Sequence, residues 1–145
     1  MGRPVSTQTA QMVVERIGAA INEHDLEALA ACFEEEVASE QPAHPARSFI
    51  GRAQVRKNWA QIFGGVPDLR AELVRAVVDG DTAWAEWDWS GTRRDGAPHR
   101  LRGVTILGIR GDRAAWVRFY MEPVEQDGAS IDGAVAASVA AGSGA

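Results

Sequence analysis

Residues 69–124, LRAELVRAVVDGDTAWAEWDWSGTRRDGAPHRLRGVTILGIRGDRAAWVRFYMEPV, alternate apolar and polar side chains in four runs. The runs cover residues 69–78, 83–92, 100–109 and 114–124. Each run predicts a strand, because successive side chains of a strand point to opposite faces of a sheet. The residues between the runs are typical of hairpin turns: Asp79-Gly80-Asp81, Asp95-Gly96 and Gly111-Asp112. The stretch therefore predicts a four-stranded antiparallel meander.

Upstream of these strands, apolar residues recur three and four positions apart, which is the spacing of amphipathic helices. One helix is predicted after a Ser6 or Thr7 cap, a second and shorter one after Asp25, and a third over residues 51–64. Residues 37–49 contain two prolines and predict a short strand followed by an irregular loop. Three helices are thus expected before the meander.

The chain is predicted to form one domain, since 145 residues suffice for a single hydrophobic core but not for two ordinary ones. We expect a flexible N-terminus over residues 1–6 and the folded domain over residues 7–125. Residues 126–145 are rich in alanine, glycine and serine and predict a partly disordered tail. Within this tail, apolar residues four positions apart predict a weak helix: Ile131, Val135 and Val139.

Composition and charge exclude several classes of protein. Apolar residues make up 46% and charged residues 24%, which is globular composition. The formal net charge of -5 argues against a nucleic-acid partner. No run of about eighteen apolar residues predicts a membrane span, and residues 1–11 contain no secretory signal, so we expect a cytoplasmic protein.

The sequence contains no pattern that indicates a cofactor or a metal. There is no phosphate-binding glycine loop and no metal-spaced set of cysteines and histidines. The single Cys32 predicts a small buried side chain and excludes an intrachain disulfide. The acidic run at residues 34–36 is interpreted as the solvated end of the second helix, because consecutive helical positions point in different directions.

Four short motifs follow the order of the predicted elements and together carry a family resemblance. They are HDLEAL at 24–29, FIGR at 49–52, WSGT at 89–92 and RFYMEP at 118–123. In this order they resemble the nuclear-transport-factor-two-like superfamily, which includes SnoaL-like polyketide cyclases, ketosteroid isomerase and limonene epoxide hydrolase. The resemblance implies an α+β cone of three N-terminal helices on a curved, mainly antiparallel sheet of four to six strands that encloses a pocket. It implies a fold more firmly than a reaction, because this fold supports many reactions.

The resemblance to ketosteroid isomerase implies that its chemistry is not retained. That enzyme carries its proton-abstracting aspartate before a proline, where this chain has Gln41, an amide that cannot act as the base. The neighbouring Glu40 replaces it only if its side chain turns into the pocket. The tyrosine and the acid of the isomerase's oxyanion hole correspond to Ile17 and Thr105, which disfavours steroid-type isomerisation.

The resemblance to limonene epoxide hydrolase places an acid pair on the second strand of the meander. The arginine and aspartate of that enzyme correspond to Glu86 and Asp88, and the acid of its last strand corresponds to Met121. SnoaL-like cyclases also carry an acid on the last strand, at or beside Met121. Glu122 is therefore a further candidate, because a slip of one residue reverses the face to which a strand side chain points.

Alternation along the strands sorts the meander into two faces, and the family correspondence indicates which face is concave. It places Glu86 and Asp88 on the concave face with Thr105, Phe119 and Met121. The opposite face is then too apolar to be left exposed on a monomer and predicts a homodimer interface. Its residues are Trp87, Trp89, Val104, Ile106, Trp116 and Tyr120.

The catalytic candidates are Glu86, Asp88, His44 and Glu40. Two carboxylates two positions apart on a strand lie side by side, and in an apolar pocket their repulsion raises at least one pKa. The alternative is that one of them pairs with an arginine such as Arg47 or Arg100 and that neither reaches a ligand. His44 lies in the loop between two prolines and is either a proton donor at the pocket mouth or a surface histidine.

The ligand-binding candidates come from the third helix and the strands: Trp59, Phe63, Trp84, Thr105, Phe119, Met121 and Glu122. They predict a pocket for a small apolar, ring-containing molecule. The sequence leaves three functions open. The protein is a cofactor-independent acid–base enzyme of isomerase, cyclase or hydrolase type, a non-catalytic dimeric binding protein, or a structural dimer whose cone is filled by side chains.

Overall fold

The computed structural model describes residues 5–141, in which helices come first and strands fill most of the remainder. The helices are α1 (Thr7–Glu23), α2 (Leu26–Ala30), α3 (Arg52–Gly65) and α4 (Ile131–Val139). The strands are β1 (Phe33–Glu40), β2 (Phe49–Ile50), β3 (Arg70–Asp79), β4 (Thr82–Thr92), β5 (Pro98–Arg110) and β6 (Arg113–Pro123). A 3-10 turn, Pro45–Arg47, lies between β1 and β2. The predicted α+β class and the three N-terminal helices are confirmed.

The strands form one curved, mixed sheet in the order β2-β1-β6-β5-β4-β3. From β3 to β6 each strand pairs antiparallel with the next, which confirms the predicted meander. β1 extends the meander by pairing parallel with β6, and β2 pairs antiparallel with β1. The sheet thus has six strands, the upper end of the predicted range.

The corner between α1 and α2 is built by side chains that the sequence places at the helix ends. Ser6 caps α1 by accepting a hydrogen bond from the Thr9 amide at 3.0 Å, and Asp25 caps α2 in the same way. His24 between them adopts a left-handed conformation, with φ of 52°, which lets its amide close the end of α1. Its ring stacks on Phe63 with centroids 4.7 Å apart, so His24 has a structural role.

The acidic run at residues 34–36 lies on a strand and not at a helix end, which corrects the sequence interpretation. α2 ends at Ala30, and β1 begins at Phe33. The segment forms a strand because of a tertiary contact: β1 pairs with β6, with Ser39 opposite Val117. Glu34 pairs with Arg110 at 3.3 Å, so the run remains a set of separate surface acids.

The sheet has an inner face, which packs against α1 and α3, and an outer face. Paired residues of neighbouring antiparallel strands share a face. Trp87 and Trp89 are 2% and 8% exposed and lie on the inner face, whereas Trp84 of the same strand is 41% exposed. Trp84 pairs with Ile106 on the outer face.

The structure confirms which residues of β5 and β6 lie on the inner face. For β4 the prediction is reversed, because the residues predicted on the inner face lie on the outer face. Thr105 is buried on the inner face, and the Trp87 indole N–H donates to its hydroxyl at 2.9 Å. Glu86 and Asp88 lie on the outer face opposite Val104 and Arg102. The four inner residues of β4 are apolar, and the hydrophobic effect buries that set.

The tail contains the predicted helix, α4, whose first turn is capped by the Ser130 side chain. Nothing in α4 is buried, and Ile131 is 77% exposed. The last strand, β6, ends at Pro123, and the Val124 amide still donates to the Arg100 carbonyl oxygen at 2.9 Å. The predictions of flexibility at residues 1–4 and 142–145 lie outside the described residues.

Candidate functional site

A cavity of about 220 Å³ lies between α3, the inner face of the sheet and the segment that joins β1 to α3. Most of its wall is apolar. The lining residues are Phe33, Ser39, Gln41, Arg47, Phe49, Val55, Asn58, Trp59, Ile62, Trp89, Leu101, Val117, Phe119 and Met121. Such a concave apolar site with a few polar groups is typical of small-molecule binding.

Tryptophans close the deep end of the cavity. The rings of Trp59 and Trp89 meet edge to face with centroids 5.5 Å apart, and Trp87 lies 6.2 Å beyond Trp89. A separate void of about 20 Å³ remains among these rings and α1, which is room for about one water molecule. The inside of the cone is therefore partly filled, and the open volume lies near its mouth.

Two buried polar atoms of the cavity wall have no hydrogen-bond partner within residues 5–141: the Ser39 hydroxyl oxygen and the Trp89 indole nitrogen. Ser39 is 2% exposed and Trp89 is 8% exposed. Leaving one such group unpaired costs about 1–3 kcal/mol. Both side chains contribute to the wall of the same cavity, but the two polar atoms themselves are buried and do not face its open space.

The other polar groups of the wall are mostly hydrogen-bond donors. Asn58 lines the cavity, and its carbonyl oxygen accepts a hydrogen bond from the Gln54 amide at 2.7 Å. Arg47 is the one ionisable residue of the wall, and it makes no ion pair with another residue in the range 5–141. Gln41 also lines the cavity.

The acid pair on β4 lies outside the cavity. Asp88 accepts hydrogen bonds from Arg100 at 2.9 Å and from Arg102 at 3.2 Å. The hydrogen bond from Arg100, assisted by Arg102, holds the Asp88 pKa below its usual value against the opposing effect of burial. The expected raised pKa is therefore not found at Asp88. The alternative, an ion pair with Arg100, is confirmed.

The remaining catalytic candidates make exposed polar contacts outside the lining of the cavity. The His44 ring nitrogen lies 2.8 Å from a Glu122 carboxylate oxygen, and this contact joins the loop before β2 to the end of β6. Glu40 lies 3.5 Å from Arg118. Neither pair belongs to the lining of the cavity. His44, Glu40 and Glu122 are thus placed at its outside.

The predicted ligand-binding residues divide into three groups. Trp59, Phe119 and Met121 line the cavity, as expected. Thr105 lies deeper, where its hydroxyl accepts from Trp87, and Phe63 packs against His24. Trp84 lies on the outer face and Glu122 beside the loop.

Sequence reasoning missed the two residues with unpaired polar atoms. Trp89 was detectable, because it belongs to the uniformly apolar half of β4. Ser39 gave no signal, because a serine on a short strand is common at a surface. Within residues 5–141 no cluster of histidine, cysteine and acid has the geometry of a metal site. No helix in that range is long and apolar enough to span a membrane.

Comparison with known proteins agrees with this architecture. TsrD from Streptomyces laurentii is 24% identical, with 82% of this chain and 90% of that chain covered and a TM-score of 0.68. An LEH-like epoxide hydrolase of M. tuberculosis is 16% identical, with coverages of 80% and 84% and a TM-score of 0.70. A protein of ketosteroid isomerase-like fold from Catenulispora acidiphila, in complex with trimethylamine, is 20% identical, with coverages of 74% and 84% and a TM-score of 0.65.

At these identities the likeness shows the fold alone. No curated protein matches the chain significantly. The family model of the SnoaL-like domain matches residues 14–118, which extend from α1 into β6 and include the strands that carry the cavity. The chain therefore belongs to the SnoaL-like family.

Proposed function

We propose that this protein is a dimer that binds a small, largely apolar ring compound in the cavity and does not act on it by acid–base chemistry. The observation that carries the proposal is the composition of the wall. It combines aromatic and aliphatic side chains with a few neutral polar groups and one arginine, and no carboxylate, histidine or thiol of residues 5–141 belongs to it.

The volume of the cavity limits the size of the ligand. An apolar cavity of about 150 Å³ admits benzene. A cavity of about 220 Å³ therefore suits one substituted ring rather than a fused steroid skeleton. The aromatic side chains of Trp59, Trp89 and Phe119 provide flat surfaces for such a ring.

The absence of a general base from the wall disfavours the enzyme alternative. A general base must lie within hydrogen-bonding distance of the proton that it removes. Glu86 and Asp88 lie on the far side of the sheet, and Gln41 is an amide. Among residues 5–141 the only ionisable group of the wall is the Arg47 guanidinium, which presents hydrogen-bond donors and no acceptor.

The outer face supports the dimer. The apolar residues of the outer face are Trp84, Val104, Ile106, Trp116 and Tyr120. Trp84 and Tyr120 are 41% and 42% exposed. The Trp116 ring covers Gly108, where any side chain would clash with it, and Arg118 lies 5.2 Å from its centroid. Exposed aromatic side chains gathered on one face, here interspersed with the charged Glu86 and Arg118, favour an interface.

Binding is tested with ethylbenzene as the probe, in a titration followed by ligand-observed NMR. We expect saturable binding that is lost in Leu101→Trp, which fills the cavity with a larger side chain. Leu73→Trp is the matched control, because Leu73 lies on the inner face away from the cavity. Glu86→Gln should bind normally. Absence of binding by the wild type contradicts the proposal, and loss of binding in Glu86→Gln favours the acid–base alternative.

Dimerisation is tested by light scattering at micromolar concentration. Tyr120→Glu should give monomers, because it places a charge within the apolar outer face. Met12→Glu is the control, since Met12 is 52% exposed on α1. A monomeric wild type, or equal effects of the two variants, would rule out this interface.

A further inference from the structure

We infer that the cavity selects one-ring compounds that carry a carboxylate, and that this carboxylate pairs with the Arg47 guanidinium at the mouth of the cavity. The inference rests on the proposed function and names the chemical class of the ligand. Two observations carry it. Arg47 lines an otherwise uncharged wall without a partner of its own, and the chain segment around it contains no acid.

Arg47 is a cation without a counterion. It is exposed and also lines the cavity, which places it at the mouth. Its side chain makes no hydrogen bond or ion pair within residues 5–141. The carboxylates of Glu40 and Glu122, outside the lining, contact Arg118 and His44 instead. The guanidinium is therefore free to receive an anion, and its planar fork of N–H donors matches a carboxylate.

The segment that forms one side of the cavity is basic, although the whole chain has a net charge of -5. Residues 41–67 contain no aspartate or glutamate, and they supply half of the residues that line the cavity. The cations of this segment are Arg47, Arg52, Arg56 and Lys57. Glu27 pairs with Arg56, and the others have no acidic partner within residues 5–141. A basic side on an acidic protein attracts anions to the cavity.

Local hydrogen bonds hold the backbone of Arg47 at the mouth. Arg47 ends the 3-10 turn that begins at Pro45, and its amide donates to the His44 carbonyl oxygen at 2.9 Å. The Ser48 amide donates to the Pro45 carbonyl oxygen at 3.1 Å. The His44 side chain also contacts Glu122 at the end of β6. The start of the Arg47 side chain is therefore fixed beside the apolar interior.

A carboxylate on a single ring fits this arrangement better than an amine does. The ring enters the apolar interior, while the carboxylate stays at the exposed rim, where it keeps part of its hydration and pairs with the guanidinium. An amine would meet Arg47 as a like charge, and no carboxylate of residues 5–141 belongs to the wall to receive it. One guanidinium balances one negative charge, so the ligand class is that of aryl monocarboxylates such as phenylacetate.

The experiment compares phenylacetate with phenylacetamide, which have nearly the same shape and differ in charge. Both are titrated by ligand-observed NMR, at low ionic strength, into the wild type, Arg47→Gln and Arg113→Gln. We expect the wild type to bind phenylacetate roughly fivefold more tightly than phenylacetamide, and Arg47→Gln to bind the two equally. Arg113→Gln is the matched control and should keep the preference. It removes an exposed arginine at the start of β6, far along the strand from Met121 in the cavity wall.

Salt provides a second readout on the wild type, which does not depend on the folding of a variant. Added sodium chloride should weaken the binding of phenylacetate towards that of phenylacetamide, because salt screens an exposed ion pair. Equal affinities of the wild type for the two probes at low salt, or a preference that Arg47→Gln retains, overturn the inference. Binding of ethylbenzene then leaves the proposed function intact. Failure of ethylbenzene and of both probes to bind overturns both.

Discussion

The inner and outer faces of the sheet use the same residue type for different purposes. On β4, Trp87 and Trp89 are buried against the helices, whereas Trp84 is 41% exposed and is a candidate for contact with a second copy. The inner half of the strand is uniformly apolar, whereas the outer half combines Trp84 with two acids and a serine. The polarity of the whole half-strand, and not the presence of a tryptophan or an acid, therefore decides which face is buried.

The strongest test of this comparison replaces one tryptophan on each face. Trp87→Ala should lower the free energy of unfolding by about 3–5 kcal/mol, because it leaves a large cavity and an unpaired Thr105 hydroxyl. Trp84→Ala, on the same strand, should cost less than about 1 kcal/mol in the monomer. Urea denaturation of both variants in the monomeric Tyr120→Glu background, at one fixed protein concentration, measures both losses without a contribution from dimer dissociation. Similar losses would mean that Trp84 is also part of the core.

A second prediction concerns the polar atom that β1 buries on the inner face. Ser39→Ala removes a hydroxyl that has no partner within residues 5–141, so it should raise the free energy of unfolding by about 1 kcal/mol. Ser90→Ala, at an exposed position on the outer face of β4, should leave it unchanged. Thermal melts of the ligand-free protein compare the two. Destabilisation by Ser39→Ala would show that the hydroxyl is satisfied.

Replacing Asp88 on the outer face should change the stability by a smaller amount, and this change should depend on pH. The folded pKa of Asp88 is depressed, chiefly by the Arg100 hydrogen bond, so its ion pairs stabilise the protein above the unfolded pKa of about 3.9. This contribution is lost as the pH falls through the lower folded pKa. Asp88→Asn should therefore lower the melting temperature slightly at pH 7, and by less and less as the pH falls below the unfolded pKa.

Glu86→Gln is the matched control for this effect, because Glu86 shares the outer face but makes no ion pair within residues 5–141. Its melting temperature should follow the wild type across the same pH range. A difference between Asp88→Asn and the wild type that persists at the lowest pH would show that the effect is not electrostatic.

The smallest effect on stability is expected from removing the tail, none of whose described residues is buried against either face of the sheet. A chain that ends at Gly128 should unfold cooperatively within a few degrees of the full chain, since α4 buries nothing. Thermal unfolding followed by circular dichroism measures this. A large loss of stability would indicate that Ile131, Val135 or Val139 packs on the domain in solution.

Local patterns predicted the elements well because their causes are local. The turn dipeptides at Asp95-Gly96 and Gly111-Asp112 separate strands that agree with the predicted runs to within a few residues. Asp25 caps α2 as its position predicts. The error at residues 34–36 arose because strand β1 forms only when β6 is present to pair with it.

The candidate site was predicted in part. Trp59, Phe119 and Met121 were placed in the cavity correctly, because helical spacing and strand alternation fix which face they share. The prediction that the acids of β4 lie in the cavity is wrong. The family correspondence indicated one face of the strand, whereas the polarity of its two residue sets indicates the other. Glu86 and Asp88 belong to the polar half, which water solvates.

The sequence by itself determined the order of the elements, the two residue sets of each strand and the SnoaL-like type of fold. Those properties depend on spacing and on turn chemistry, which a chain carries without its contacts. Only the tertiary structure decided which set of β4 is buried and that Ser39 and Trp89 meet at one cavity without partners. Strand β1 and strand β4 are far apart in the chain and are joined in the sheet only through β5 and β6. No local sequence pattern therefore indicates that both strands line the same cavity.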